Sequence, residues 1–229
     1  MGLSNKRLFI TGGTGFIGSS IAERLIENNH ITVYDNFNKN LIENTPLFNH
    51  PNLTVINGDV LDYDKMSDAF AGHDVDIIIH LAAILGVETV ISDPVRTMET
   101  NLMGAMNILN IANTVGTIEH FINFSTSEVY GAYSYKLSEG DSTSVGRAGE
   151  ARWLYALSKL ATDHLALSYY KKYSLPVTSV RPFNIYGPRR GRQRSISLSL
   201  AHLRMKIFWF MEMGTRSGRG VTSMILLMR

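Results

Sequence analysis

The chain has 229 residues, 45% of them hydrophobic and 18% charged, with a formal net charge of +2. That is enough chain to bury a sizeable core in one domain, and too little charge to argue for a nucleic acid or an anionic membrane as partner. Residues 189–229 hold nine Lys/Arg and one acid, Glu212, so the rest of the chain is net acidic and the overall balance says little about partners. There is no cysteine, which excludes a disulfide framework and a thiolate metal site, and no metal ligand set is expected. A strand is reached by Arg7, leaving no room for a signal peptide. Apolar runs such as Ile207–Met211 and Met224–Met228 are too short to cross a bilayer. The expectation is a cytoplasmic protein.

Strand-like and helix-like stretches alternate along the chain. Leu8-Phe9-Ile10 leads into a Gly-rich turn, and Phe16 to Glu27 reads as a helix with Ile17, Ile21, Leu25 and Ile26 on one face. Ile31–Tyr34 and Leu53–Ile56 read as the next two strands, and Asp62 caps a helix running to Phe70. Asp76–Leu81 is a continuous apolar run, the mark of a strand buried on both faces. A long helix is predicted over Val95–Val115, a buried strand over His120–Phe124, a second long helix over Trp153–Tyr173 and a strand over Pro176–Val180. Ser138 to Glu150, rich in Ser and Gly, reads as a surface loop. Such alternation predicts an α/β fold, a Rossmann-like doubly wound parallel sheet covered by helices on both sides.

The turn Thr11-Gly12-Gly13-Thr14-Gly15-Phe16-Ile17-Gly18 follows a strand and opens a helix, the context a phosphate cradle requires. Gly12 permits the tight turn, and Gly15 lets the backbone approach a pyrophosphate whose charge faces the free N–H groups of the helix start. Asp35 ends the second strand, 23 residues after Gly12, where a carboxylate accepts hydrogen bonds from an adenosine ribose. It would repel a 2′-phosphate, and no Arg follows it, so NAD is favoured over NADP. Asp59, after the third strand, is placed to meet the adenine edge.

Tyr155 and Lys159 stand four apart on a predicted helix and share a face. A free phenol, with a pKa of about 10, is a poor base at neutral pH. A neighbouring ammonium and a positive nicotinamide ring would both favour the phenolate. Ser125-Thr126-Ser127-Glu128 lies just past a buried strand, at the edge of the sheet where such sites sit, and a hydroxyl there can share the substrate proton with Tyr155.

These residues give the chain its resemblance to the extended short-chain dehydrogenase/reductase family, in its nucleotide-sugar epimerase/dehydratase branch. The matching stretches are Thr11–Gly18, Asp35-Asn36, Gly58-Asp59-Val60, His80-Leu81-Ala82-Ala83, Asn101, Ser125–Gly131, Tyr155–Lys159 and Arg181–Pro188, in order over residues 7–188. The resemblance implies an NAD-binding domain over 1–188, with cofactor contacts at Gly12, Gly15, Phe16, Ile17, Gly18, Asp35, Asn36, Asp59, Val60, Leu81, Ala82, Ala83, Asn101, Tyr155, Lys159 and Phe183, and a substrate contact at Asn184. It implies Tyr155 as base, Lys159 orienting ribose and lowering the phenol's pKa, and Thr126 bonding the substrate hydroxyl. Hydride would pass from a sugar carbon, usually C4, to NAD, giving a transient ketosugar that is epimerised, dehydrated or decarboxylated. The family's 4,6-dehydratases usually carry Asp-Glu after the threonine. Ser127 in that place argues against dehydration, while Thr-Ser-Glu resembles nucleotide-sugar decarboxylases and some epimerases. Epimerase is narrowly preferred, with decarboxylase as the alternative and a non-catalytic NAD-binding protein as a third reading. Family members commonly dimerise through the two long helices, here 95–115 and 153–173, so a homodimer is compatible with the sequence.

In this family a smaller lobe beyond the Gly187-Pro188 pair binds the nucleotide sugar. Residues 189–229 show no credible series of elements and are expected to be an aberrant tail. Joining the last base of each codon to the first two of the next makes Trp209/Phe210 valine, Phe210/Met211 Tyr or His, Met211/Glu212 glycine, Glu212/Met213 Asp or Asn, and Met213/Gly214 glycine. Further on, Ser223/Met224 allows aspartate and Met224/Ile225 requires it. The shifted message reads Val-Tyr-Gly-Asp-Gly, then Arg and Trp, then Tyr-Ile-Asp-Asp, the pattern the family carries where its second lobe begins. The expectation is a one-base frame change between Pro188 and about Met205, leaving this copy impaired.

Overall fold

Neighbouring residues of β1 (Arg7–Thr11) serve opposite sides of a sheet: Leu8 and Ile10 join one apolar layer and Phe9 the other. The same split separates Ile77 and Ile79 from Ile78 in β4 (Ile77–His80). Burial on both faces is why these strands read as unbroken apolar runs. The computed structural model describes residues 3–132, 136–183 and 185, together with the backbone of a strand at Thr222–Leu226.

The sheet is parallel throughout and ordered β3-β2-β1-β4-β5-β6-β7, with β2 at His30–Asp35, β3 at Leu53–Asn57, β5 at His120–Phe124, β6 at Val177–Pro182 and β7 at Thr222–Leu226. On one face lies α1 (Phe16–Leu25), packing Ile21, Ala22 and Leu25 against Ile10, Val33 and Ile79. On the other lie α2 (Tyr63–Ala71), α5 (Gly104–Val115) and α6 (Leu154–Tyr173), bringing Met66, Phe70, Ile108, Ile111 and Ala166 onto Phe9, Ile78 and Phe121. The predicted doubly wound α/β architecture is the observed one. The stretch 138–150 is largely exposed and without regular structure apart from turns, as its composition predicts.

Three details differ from the sequence reading. Val87–Ser92 forms a short helix, α3, where none is predicted. The single helix expected over 95–115 is α4 (Pro94–Met98), a π-helical turn at Glu99–Met103, and α5. The wide turn coincides with Asn101, whose amide bonds both backbone groups of Ile84, and π-turns collect where such a side chain is diverted from the regular ladder. Third, Thr222–Leu226 pairs in parallel register with Thr178–Pro182 of β6, whereas no element is expected in the tail. Thr-Ser-Met-Ile-Leu holds β-prone residue types, and β6 offers an open edge whose N–H and C=O groups want a partner. The substrate contact expected at Asn184 and the remainder of the tail lie outside the described residues. Among those residues no helix is long and apolar enough to cross a membrane, and no cluster of three or more His, Asp or Glu is placed to hold a metal ion.

Candidate active site

The chain runs from β1 outward to β2 and β3, then returns through β4 on the other side of β1. The carboxyl ends of β1 and β4 therefore splay into a crevice at the topological switch point. Gly12 turns the chain there with φ +71, and a Cβ on it would lie 2.7 Å from the Ala82 nitrogen. The Gly-rich turn and the Leu81–Ala83 segment are thus in van der Waals contact, as only glycine permits. Gly18 lets α1 approach the turn, since its added Cβ would meet the Gly13 Cα at 2.5 Å. Gly15 is different: its added Cβ meets only the Gly12 carbonyl, at 3.3 Å. Gly15 is the least crowded of the three, and a position kept small there suits something that approaches from outside. Gly15 caps α1 with no side chain on the first N–H groups and no acid in the first turn, so the positive end of the helix faces the crevice unopposed. Phe16 and Ile17 begin that helix and pack partly against the β1 layer.

Asp35, at the end of β2, accepts from the Thr14 N–H at 3.0 Å and the Phe37 N–H at 2.9 Å, one on each carboxylate oxygen. It is tied to the Gly-rich turn and keeps lone pairs for a hydroxyl. Asn36 spends its side-chain oxygen on the Asn38 N–H. Asp59 accepts from the Leu61 N–H at 3.0 Å and from Arg96 Nη2 at 2.7 Å. Val60 is buried, its carbonyl held by the Asn107 side chain. Asn101 is buried with every polar group engaged, donating to the Ile84 carbonyl and to Ser158 Oγ while accepting from the Ile84 N–H. It joins the loop after Ala83 to the helix that carries Tyr155 and Lys159, rather than offering a free donor to a ligand.

On α6, Tyr155 and Lys159 lie one turn apart as predicted, and Asp163 extends the same face by another turn. Lys159 is buried, which pulls its ammonium down to about 8, while the negative charge of Asp163 opposes that fall. Its charge reaches His80 at the end of β4, whose imidazole is held neutral with a pKa of about 3, first by burial and second by Lys159. His80 Nδ1 and Thr11 Oγ1 are 2.8 Å apart, while His80 Nε2 is buried with no hydrogen-bond partner. The lysine of α6 is thereby brought to the very strand ends that flank the glycine cradle.

Thr126 caps a 3-10 turn, Ser127–Tyr130, by accepting from the Glu128 N–H at 3.3 Å. The Tyr155 phenol is pushed above its ordinary value, chiefly by burial and then by the negative charge of Glu128. Glu128 is itself raised by partial desolvation, with Arg152 opposing. Thr126, Glu128 and Tyr155 therefore share one neighbourhood. Burial and Glu128 both work against the phenolate here, opposite to the fall in pKa expected of a base. Phe183 packs with Leu137 and Leu160 against Val129 and Tyr130, behind this turn.

Sequence reasoning missed what fixes the turn. Asp163 Oδ2 accepts from Ser125 Oγ and Arg181 Nε, Asp163 Oδ1 accepts from Asn123, and Arg181 Nη1 donates to the Tyr130 hydroxyl at 2.7 Å. Asp163 could have been found from its spacing: it is to Lys159 what Lys159 is to Tyr155.

A family model described as GDP-mannose 4,6 dehydratase matches residues 9–214. The UDP-N-acetyl-alpha-D-glucosaminuronate decarboxylase of Bacillus cytotoxicus is 42% identical over 185 residues, 80% of this chain and 56% of that protein. The solved UDP-N-acetylglucosamine 4-epimerase of Methanobrevibacter ruminantium is 29% identical with a TM-score of 0.72, over 86% of this chain and 61% of its own. The dTDP-glucose 4,6-dehydratase of Bacillus anthracis, solved in complex with NAD, is 27% identical with a TM-score of 0.69, over 80% and 56%. The chain thus spans little more than half the length of the proteins it resembles.

Proposed function

The chain belongs to the family described as GDP-mannose 4,6 dehydratase, and from that premise we propose that it binds NAD and oxidises a nucleotide sugar transiently at a ring hydroxyl, C4 by resemblance. One observation carries the reading: Asn101 bonds Ile84 in the loop after β4 and Ser158 beside Lys159, while Gly12 packs on Ala82 just past the same strand, so the tyrosine–lysine helix and the glycine cradle border one crevice. The residues present fit the dinucleotide. Gly15 puts no side chain beside an uncapped helix start, Asp35 keeps acceptor capacity for ribose, and Lys159 offers a buried ammonium.

Bound NAD supplies hydride acceptance and return. Tyr155 takes the proton of the sugar hydroxyl, Thr126 shares that hydrogen bond, and Lys159 holds ribose and favours the phenolate. Gly12, Phe16, Ile17, Gly18, Leu81, Ala82 and Ala83 form the walls, Asp59 and Val60 line the adenine end, and Asn101 holds the loop behind it. Asn36, Phe183 and Asn184 are carried as contacts on the resemblance alone. Epimerisation, the narrow preference from sequence, is supported by the structural likeness to an epimerase. Decarboxylation of a nucleotide uronic acid has the stronger support, from Thr126-Ser127-Glu128 and from the higher identity to a decarboxylase. The test is to titrate the chain with NAD and, in a chain restored to the family's full frame, to add UDP-glucuronate or UDP-glucose while following reduced nicotinamide and released carbon dioxide. An NAD titration without response overturns the reading.

We further propose that residues 1–188 are the NAD-binding domain and that 189–229 are a frame-shifted segment standing where the family has its sugar-nucleotide lobe. The codon overlaps from Trp209 to Ile225 support this. On that reading turnover by these 229 residues is negligible, because remote binding energy that would hold the sugar against Tyr155 is lost. Sequencing the gene across codons 185–230 decides it: an alternative frame that does not continue past codon 229 with family-like sequence overturns the proposal. A cytoplasmic location and a homodimer through α4–α5 and α6 complete the reading, the second supported by the exposure of Val95, Met103 and Leu157 along those helices.

A further inference from the structure

Asp35 ends β2 in register with Asn57, and Asp59 stands two residues further on past β3, yet their carboxylates are engaged differently. Among the described residues Asp35 accepts from backbone N–H groups alone. Asp59 carries a guanidinium: Arg96 Nη2 lies 2.7 Å from its Oδ2, with Glu99 at 3.9 Å from Nη1. The arrangement around this pair is built rather than loose. Asp59 Oδ1 is fixed by the Leu61 N–H, its carbonyl accepts from the Tyr34 hydroxyl, and the next residue, Val60, is pinned by Asn107. The turn is seated on the start of α5, because a Cβ at Gly104 would lie 2.6 Å from Val60 Cγ2. At the start of α4, which carries Arg96, Asp93 accepts from the Arg96 N–H at 3.0 Å, setting the residue's backbone. An ion pair this exposed contributes little to stability. Its effect is to hold a flat, five-donor cation beside Asp59, the residue that the resemblance assigns to the adenine end.

We propose that Arg96 is a binding residue for the adenine half of the dinucleotide, laying its guanidinium against the purine, and that Asp59 acts mainly by positioning Arg96. A planar guanidinium stacks on an aromatic ring in a way an ammonium does not. This inference rests on the NAD reading above and deepens it.

The test is calorimetric titration of the 229-residue chain with ADP-ribose, NAD and NADP, and of nicotinamide mononucleotide by saturation-transfer NMR. Arg96→Ala weakens ADP-ribose and NAD by about two- to thirtyfold and leaves nicotinamide mononucleotide unchanged. Arg96→Lys, which keeps the charge and loses the plane, weakens them similarly, and unaltered circular dichroism shows both variants folded. Asp59→Asn weakens ADP-ribose in the wild type and adds little in the Arg96→Ala background. Wild-type affinity for ADP-ribose in Arg96→Ala overturns the proposal while leaving the NAD reading intact. Loss of NADP alone also overturns it, making Arg96 a phosphate ligand. Failure of the wild-type chain to bind either NAD or ADP-ribose overturns both.

Discussion

Arg181 Nε stands 2.9 Å from Asp163 Oδ2, both nearly buried, and the pair sits one helical turn beyond Lys159. Asp163 also accepts from Ser125 and Asn123, so one carboxylate ties β5, β6 and α6 together behind Thr126. Removing one partner of such a pair strands the other charge without water. Asp163→Ala is expected to destabilise the chain by about 3–5 kcal/mol, and Asp163→Asn by less, because an amide still serves part of the network. Urea denaturation monitored by circular dichroism measures both. Equal stability of Asp163→Ala and wild type would remove Asp163 from the framework of the site.

Gly12 and Gly15 separate folding from binding. At Gly12 a side chain meets both a positive φ and the Ala82 backbone at 2.7 Å, so Gly12→Ala should cost about 1–3 kcal/mol in the same denaturation experiment. At Gly15 the backbone is extended and an added Cβ meets one atom, the Gly12 carbonyl oxygen, at 3.3 Å, a tight contact but a milder one than at Gly12. Gly15→Ala should cost less than Gly12→Ala, about 1 kcal/mol or less, while NAD affinity falls about tenfold by titration. Undiminished affinity would show that the cradle is not where the pyrophosphate sits.

Lys159 opposes folding at neutral pH. Its pKa is depressed from the ordinary 10.5 to about 8 by burial, so the unfolded chain holds this proton more tightly than the folded one. The slope of stability with pH from this group is therefore positive between about 8 and 10.5: the penalty is complete below pH 8 and disappears as the ammonium is titrated in both states. Lys159→Met, keeping the length and losing the charge, should stabilise the chain at pH 7 by roughly 3 kcal/mol or less. The advantage should shrink towards pH 10. A difference that does not change with pH would mean that the gain came from packing rather than from the buried charge.

What the sequence made legible follows from local physics. Leu8-Phe9-Ile10, Ile77-Ile78-Ile79 and Phe121-Ile122 are apolar at successive positions because both sheet faces are covered, so strands and fold class could be read without partners. Gly12 and Asp35 were legible because a tight turn and a strand end restrict residue type. The π-turn at Glu99–Met103 was not: it holds Asn101, whose partner Ile84 lies seventeen residues away, and no local pattern marks it. Arg96 was hidden for the same reason: nothing near it in the chain hints at Asp59. The state of the Tyr155 phenol was also illegible, since spacing puts Lys159 nearby but burial decides the sign.

Glu128 supplies the last prediction, because its charge works against the base it accompanies. Its carboxylate raises the Tyr155 phenol, adding to burial, and its own pKa is raised by desolvation. Protonating Glu128 therefore removes a force that resists ionisation of Tyr155, and a neutral carboxyl can also donate a hydrogen bond into the site. Glu128→Gln should lower the pH at which Tyr155 ionises, read by phenolate absorbance against a Tyr155→Phe control. In a chain restored to the family's full frame, the same substitution should leave reduction of NAD by the sugar intact and slow the step that follows it by about a hundredfold or more, the usual contribution of a placed acid. A phenol titration unmoved by Glu128→Gln would mean that the two side chains do not sense each other, and the onward chemistry would need another proton donor.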